Sequence, residues 1–280
     1  MPKAELLAVT MTGELCDCFE TRRQGVSFIL KALAEAADQI PIRVWTTSGF
    51  ASPKEANSQP LKTASANWLA LATFAGQYVP SGPAMVIDVG STTTDLVPLL
   101  DGKPVPRGRT DSERLRCREL VYSGVQRTPV CALLGAKGAA ELFATTLDVY
   151  LLLGELPEDA DDRNTADGRP ATRDAARARL ARMLGADSEI FSMTDALVLA
   201  RDVFSRQLAL LQNAIKDQTT VISRNPGAVV ISGSGEFLAR KVLENVKAIS
   251  LADQLGPDIS QSACAYAVAV LAQESIINQL

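Results

Sequence analysis

The chain reads as an α/β protein, and three observations predict this. Short apolar runs that suit buried strands recur at residues 6–11, 42–47, 84–90, 96–100 and 228–232, with helical periodicity between most of them. Two of these runs lead straight into glycine and hydroxyl residues, the strand ends where α/β proteins place their ligands. The composition is globular: 280 residues, 47% hydrophobic and 21% charged, long enough to bury a core without disulfides.

Leu6-Leu7-Ala8-Val9-Thr10-Met11 is the first strand. Residues 21–37 form a helix, with Val26, Ile29, Leu30 and Leu33 on one face, and Pro41 stops it. Ile42-Arg43-Val44-Trp45-Thr46-Thr47 is the second strand. Residues 48–62, carrying Gly49, Pro53 and Pro60, read as a loop, and residues 64–75 as an alanine-rich helix. Val79-Pro80-Ser81-Gly82-Pro83 punctuates the chain and divides it into residues 1–80 and 81–280.

Two strands follow, at residues 84–90 and 96–100. Asp101-Gly102 supplies a turn, so the pair reads as a hairpin. A Rossmann unit would need a helix after the glycines and is excluded. Residues 138–150 read as a helix, 155–169 as a polar loop, 170–184 as an arginine-rich helix and 194–216 as a long helix. A strand at 228–232 precedes helices at 237–247 and 260–280.

Charge and residue counts narrow the chemistry. A net charge of −4 and a pI near 5.1 argue against a general nucleic-acid or anionic-membrane binder. There is no histidine, which excludes Ser-His-Asp and Cys-His catalysis within one chain and most catalytic zinc sites. Metal chemistry then rests on oxygen or thiolate ligands, and oxygen favours magnesium. The five cysteines, Cys16, Cys18, Cys117, Cys131 and Cys264, form no paired metal motif and read as reduced thiols. The opening residues do not resemble a signal peptide, and the apolar run at 263–272 is too short to span a bilayer. The expectation is a cytoplasmic protein.

Three segments carry candidate chemistry. In Asp88-Val89-Gly90-Ser91-Thr92-Thr93-Thr94-Asp95, a tight hairpin would gather N–H groups and hydroxyls for phosphate oxygens, with Asp88 and Asp95 placed for hydrated magnesium. In Ile231-Ser232-Gly233-Ser234-Gly235-Glu236, a glycine loop enters a helix, either a tight strand-to-helix turn or a second anion site, and its pairing with the first motif adds weight to the second. Residues 10–20 bring Glu14, Asp17 and Glu20 close behind a strand, where a carboxylate can act as a base. The plainer alternative is an acidic first helical turn. Arg173, Arg177, Arg179 and Arg182 read first as a solvated face, with Arg182 the candidate to reach a phosphate. Trp68, after Asn67, is either a substrate platform or core packing.

The hairpin from Asp88 to Asp95 resembles the phosphate hairpin of the hydantoinase/oxoprolinase group within the actin–sugar kinase–Hsp70 superfold. The segments Val9-Thr10-Met11-Thr12-Gly13-Glu14-Leu15-Cys16-Asp17-Cys18-Phe19, Ala66-Asn67-Trp68-Leu69-Ala70, Tyr122-Ser123-Gly124-Val125-Gln126-Arg127-Thr128-Pro129 and Asp148-Val149-Tyr150-Leu151-Leu152-Leu153-Gly154 add to it. Together they resemble the tetrahydromethanopterin-linked C1 transfer pathway family, which includes the archaeal methanofuran-biosynthesis synthases. The resemblance covers nearly the whole chain.

That resemblance implies an actin-like ATPase (ribonuclease H-like) fold with mixed sheets. The family pattern opens with another strand–hairpin of the Asp-x-Gly-Gly-x-Asn kind before the strand that starts here at Leu6. The expectation is therefore an N-terminally incomplete first half-domain at 1–80, then a second at 81–280 with a helical insertion and a C-terminal helix. The implied reaction joins an aminomethylfuran-methyl diphosphate to the phenol of a γ-glutamyltyramine-like acceptor and releases pyrophosphate, with Mg2+ as cofactor. In this reading Glu14, Asp88 and Asp95 are catalytic, with Asp88 and Asp95 also on the metal. Gly90, Ser91, Thr92, Thr93, Gly233, Ser234 and Gly235 bind phosphate. Asn67, Trp68, Arg127 and Arg182 bind substrate. The partners are small molecules, with neither nucleic acid nor membrane, and a homo-oligomer stays open. The alternatives are an ATP-dependent kinase or hydantoinase-like hydrolase of the same superfold, both needing the absent hairpin, or a non-catalytic nucleotide-binding protein.

Overall fold

The structure, a computed structural model, describes residues 4–220, 226–243 and 246–277. Strand β1 (Leu7–Val9) pairs in parallel with β2 (Ile42–Thr46), and helix α1 (Arg22–Ala36) connects them. The Thr21 hydroxyl caps α1 by accepting from the Gln24 N–H. The expected loop at 48–62 is largely ordered: β3 (Gly49–Ala51) folds back on β2, and α2 (Pro53–Ser58) and α3 (Pro60–Thr63) follow. Pro53 and Pro60, read as loop formers, occupy first helical positions, where a missing N–H costs nothing. Helix α4 (Asn67–Ala75) starts later than the alanine content suggests, because Ser65 sits at φ +49°.

The second sheet holds β4 (Pro83–Val89), β5 (Thr94–Leu100), β6 (Lys103–Pro104) and, on β5, the short β7 (Leu120–Val121). It continues through β8 (Ala228–Ser232) and β9 (Ala248–Ser250). Strand β4 pairs antiparallel with β5 and parallel with β8, so the sheet is mixed. The β4–β5 turn is Gly90–Thr93, closed by the Gly90 N–H on the Thr93 carbonyl at 2.9 Å. Asp101-Gly102, both at positive φ, instead turns β5 into β6. Strand β9 was hidden in sequence by its three-residue length.

Both faces of this sheet are covered, which explains why β4 is apolar without alternation. Ala84 and Val86 join a core with α4 and α13 (Ala263–Ile277), which also takes Trp45 of β2. Helices α4 and α13 pack on each other, and α13 also contacts β1, so they lie between the sheets. Met85, Ile87 and Val89 face the other way, against α9 (Met193–Thr219) and α10 (Glu236–Val242). Helices α11 (Leu251–Leu255) and α12 (Pro257–Gln261) precede α13. The expected helix at 237–247 ends at Val242, and 244–245 lie outside the described residues, as do 278–280 of the last helix.

Between β5 and β8 the chain adds α5 (Asp111–Arg116), α6 (Val130–Leu134), α7 (Thr146–Leu153) and α8 (Arg173–Met183), the last three sharing a second core with the start of α9. The helix expected at 138–150 begins only at Thr146, where Thr145 and Asp148 form a capping box. The arginine face of α8 is not simply solvated. Arg179 is fully buried, pairing with Asp148 at 2.7 Å and Asp167 at 3.0 Å. Arg177 donates to the Ser188 and Phe191 carbonyls. Among the described residues, no helix is long and apolar enough to cross a membrane.

Candidate functional site

A cavity of about 630 Å³ opens at the ends of β4 and β8. Its floor is the turn Gly90–Thr93. Three of the four carbonyls of this turn are taken: Val125 N–H donates to Gly90, the Gln126 and Arg127 N–H groups donate to Ser91, and the Gly90 N–H donates to Thr93. The N–H groups of Ser91, Thr92 and Thr93 find no protein acceptor among the described residues, nor do those of Gly233 and Ser234 opposite. All five residues line the cavity, so the floor presents N–H groups left unpaired among the described residues, a setting for an anion. Gly124 is required here, since a Cβ would fall on the Gly90 carbonyl.

Two carboxylates border this floor. Asp88 and Asp95 oppose each other in the β4–β5 register, and Ser232 lies across from Asp88 on the other side. The Ser232 hydroxyl donates to Asp88 at 2.6 Å, and Arg114 Nη1 contacts Asp95 at 2.8 Å. Burial pushes the Asp88 carboxyl up to about 7; the facing Asp95 charge adds to this and the Ser232 bond opposes it. Burial also raises Asp95, against the pull of Arg114.

The structure brings most of the expected residues together. Asn67, Trp68, Asp88, Gly90, Ser91, Thr92, Thr93, Asp95, Arg127, Gly233 and Ser234 all line the cavity. Glu14, Gly235 and Arg182 do not. Glu14 is buried behind Ser65, whose N–H and hydroxyl donate to it at 2.6 and 2.8 Å. Gly235 is a packing glycine: a Cβ would collide with Val89, and its N–H donates to the Val89 carbonyl. Arg182 lies on α8, 3.4 Å from Asp167. The residues 10–20 form turns rather than a helix, with Asp17 and Glu20 exposed.

Sequence reasoning missed Ser65, Asp111, Arg114, Tyr122 and Gln126, which also line the cavity. Arg114 is buried, with its guanidinium carbon 3.8 Å from the centre of the Trp68 ring. Asp111 accepts from Arg22 at 2.7 Å and from Ser65 at 2.9 Å. The one signal for Arg114 was the charge-dense segment 107–119, with no periodicity to mark an inward side chain.

A hairpin that turns beside the end of β8, in a mixed sheet with helices packed between it and a second sheet, defines an α/β protein with the actin-like ATPase type of fold. A nucleotide-free acetone carboxylase, solved in work on ATP-dependent acetone carboxylation, shares the fold at a TM-score of 0.56 and 17% identity. That alignment covers 88% of this chain but spans only 37% of the carboxylase chain. The chain belongs to the hydantoinase/oxoprolinase family, whose model matches residues 5–275. It is similar to the (4-{4-[2-(gamma-L-glutamylamino)ethyl]phenoxymethyl}furan-2-yl)methanamine synthase of Methanocaldococcus jannaschii, at 32% identity over 97% of this chain and 84% of the relative. The Methanococcus vannielii protein of the same name is 28% identical over 75% of this chain and 99% of its own length.

Proposed function

We propose that this chain is a transferase of methanofuran-type cofactor synthesis. It forms the ether between an aminomethylfuran-methyl carbon and the phenol oxygen of a γ-glutamyltyramine-like acceptor, releasing pyrophosphate. What carries this reading is the cavity floor: a seat of N–H groups unpaired among the described residues, fit for a diphosphate, in a chain similar over nearly its whole length to the Methanocaldococcus jannaschii synthase. Within the same reading the chain divides near residue 80 into two half-domains, 1–80 and 81–280.

The chemistry follows from the residues. The electron-rich furan lets the furfuryl carbon–oxygen bond break early, so charge gathers on the departing diphosphate. The N–H groups of Ser91, Thr92, Thr93, Gly233 and Ser234 receive that charge, with Arg127 at the exposed edge. Asp88 and Asp95 fit a hydrated magnesium ion: both donors are oxygen, and each keeps one oxygen that takes no hydrogen bond from the described residues. When bound, magnesium neutralises diphosphate charge. The phenol oxygen becomes acidic as its bond to carbon forms, so a weak carboxylate suffices to take the proton. Asp111 lines the cavity and is that acceptor, and Glu14 acts behind it through Ser65.

The test is pyrophosphate release with magnesium present, the furan diphosphate and the phenolic acceptor being added separately and together. Release that needs both supports the transferase. Release from the diphosphate alone indicates a diphosphate hydrolase. ADP formed from ATP with its phosphate passed to an acceptor indicates a kinase, and free phosphate from ATP indicates a hydantoinase-like hydrolase.

A further inference from the structure

We infer that Tyr122 is the platform on which the phenol ring of the acceptor stacks, an assignment that rests on the transferase reading above. Trp68 and Tyr122 are the aromatic side chains lining the cavity. Trp68, read from sequence as either a platform or core packing, is already engaged: it is 3% exposed and one face of its ring carries the Arg114 guanidinium. Tyr122 is 58% exposed.

The backbone that carries Tyr122 is as fixed as its ring is open. Val121 pairs with Thr94 across β7 and β5. Ser123 is fully buried, and its carbonyl accepts from the Thr94 hydroxyl at 2.7 Å. Gln207 Nε2 donates to the Ser123 hydroxyl and to the Gly124 carbonyl, both at 2.9 Å, and the buried Tyr150 hydroxyl holds Gln207 from behind at 2.6 Å. An aromatic ring left in water forfeits the stabilisation that burial would bring. A rigid mount with a free ring face is what stacking on another ring requires.

Position selects the acceptor ring over the furan. Gln126 and Arg127, farther along the same segment, reach the Ser91 carbonyl at the cavity floor. The furan is bonded to the diphosphate and stays near that floor. Tyr122 stands at the open mouth, where the second substrate enters and its ring must be held against the furfuryl carbon.

The experiment compares wild type, Tyr122→Ala and Tyr122→Phe by pyrophosphate release with each substrate varied, and by calorimetric titration of the phenolic acceptor alone. Tyr122→Ala should raise the acceptor KM and Kd about tenfold, about 1.4 kcal/mol, with the furan diphosphate KM within twofold of wild type. Tyr122→Phe should keep both values near wild type, because the ring and not the hydroxyl makes the contact. An unchanged acceptor Kd in Tyr122→Ala overturns the assignment, as does a shift confined to the diphosphate KM or a phenylalanine variant as impaired as alanine. If wild type itself releases no pyrophosphate, the transferase reading falls. The titration then still decides whether Tyr122 holds a phenol ring.

Discussion

Asp88 and Asp95 face each other directly across the β4–β5 hairpin, yet a guanidinium reaches only Asp95. Among the described residues, Asp88 has the Ser232 hydroxyl alone. The pair therefore carries two potential negative charges against one fixed positive charge, at the edge of a floor built of N–H donors. Burial first, and this imbalance second, hold the Asp88 carboxyl above its ordinary range.

The first prediction concerns pH. The folded-state pKa of Asp88, about 7, lies above its ordinary 3.8. Between these values the folded chain holds a proton that the unfolded chain releases, so stability falls as pH rises from about 4 to 7 and stays reduced above. The loss is of the order of a few kcal/mol. Asp88→Asn keeps an oxygen for Ser232 and removes the titration. Melting temperatures at pH 5 and pH 8.5 should show a smaller drop in the variant than in wild type. Adding magnesium at pH 8.5 should raise the wild-type value and leave that of the variant unchanged, and turnover should be lost.

The second concerns Arg114. It is buried, pairs with Asp95, donates to the Glu119 carbonyl at 3.0 Å and covers Trp68. Arg114→Met leaves Asp95 without a counter-charge and should cost about 3–5 kcal/mol in urea unfolding. Asp95→Asn in the same chain should recover part of that loss. A double-mutant cycle with no coupling would show that the ion pair is not what fixes Arg114.

The third concerns Gly233. It sits at φ +90°, and a Cβ would strike the Val89 carbonyl and come within 2.7 Å of Asp88 Oδ1. Gly233→Ala should destabilise by about 2 kcal/mol or more and displace the carboxylate from Ser232. Gly227 is the control. Its nearest neighbour to a Cβ is 3.8 Å away, so Gly227→Ala should melt close to wild type.

The sheet strands and the anion hairpin were legible because both depend on local residue type: apolar runs mark buried strands, and glycines beside hydroxyls mark a turn with free N–H groups. The family resemblance carried the superfold, which no local pattern gives. What stayed hidden depends on distant contacts. Arg179 looks like one of several surface arginines, and only the approach of Asp148 and Asp167 makes it a buried cation. Glu14 looked like a base because it follows a strand. Ser65, 51 residues later in the chain, turns at φ +49° and stands between it and the cavity. Proline at 53 and 60 breaks a strand and starts a helix equally well, so the residues 48–62 were ambiguous until their neighbours were known.

The last prediction separates Asp111 from Glu14. The Ser65 hydroxyl lies 2.8 Å from Glu14 and 2.9 Å from Asp111, but it has one proton to give. The two carboxylates therefore compete for one donor. Asp111 also has Arg22 at 2.7 Å, whereas the second oxygen of Glu14 is buried with no partner among the described residues. When Asp111 takes the phenol proton it no longer needs the Ser65 donor, which is then free to serve Glu14 alone. Asp111→Asn removes the acceptor that touches the cavity and should lower kcat about a hundredfold. Glu14→Gln keeps an oxygen for the Ser65 N–H and hydroxyl and relieves the lone buried charge, so it should lower kcat about tenfold or less. Glu14→Ala leaves the Ser65 turn without its anchor and should cost about 1–3 kcal/mol of stability. Steady-state pyrophosphate release and urea unfolding of the three variants decide the matter. A Glu14→Gln enzyme as slow as Asp111→Asn would make Glu14 the proton acceptor and Asp111 its support.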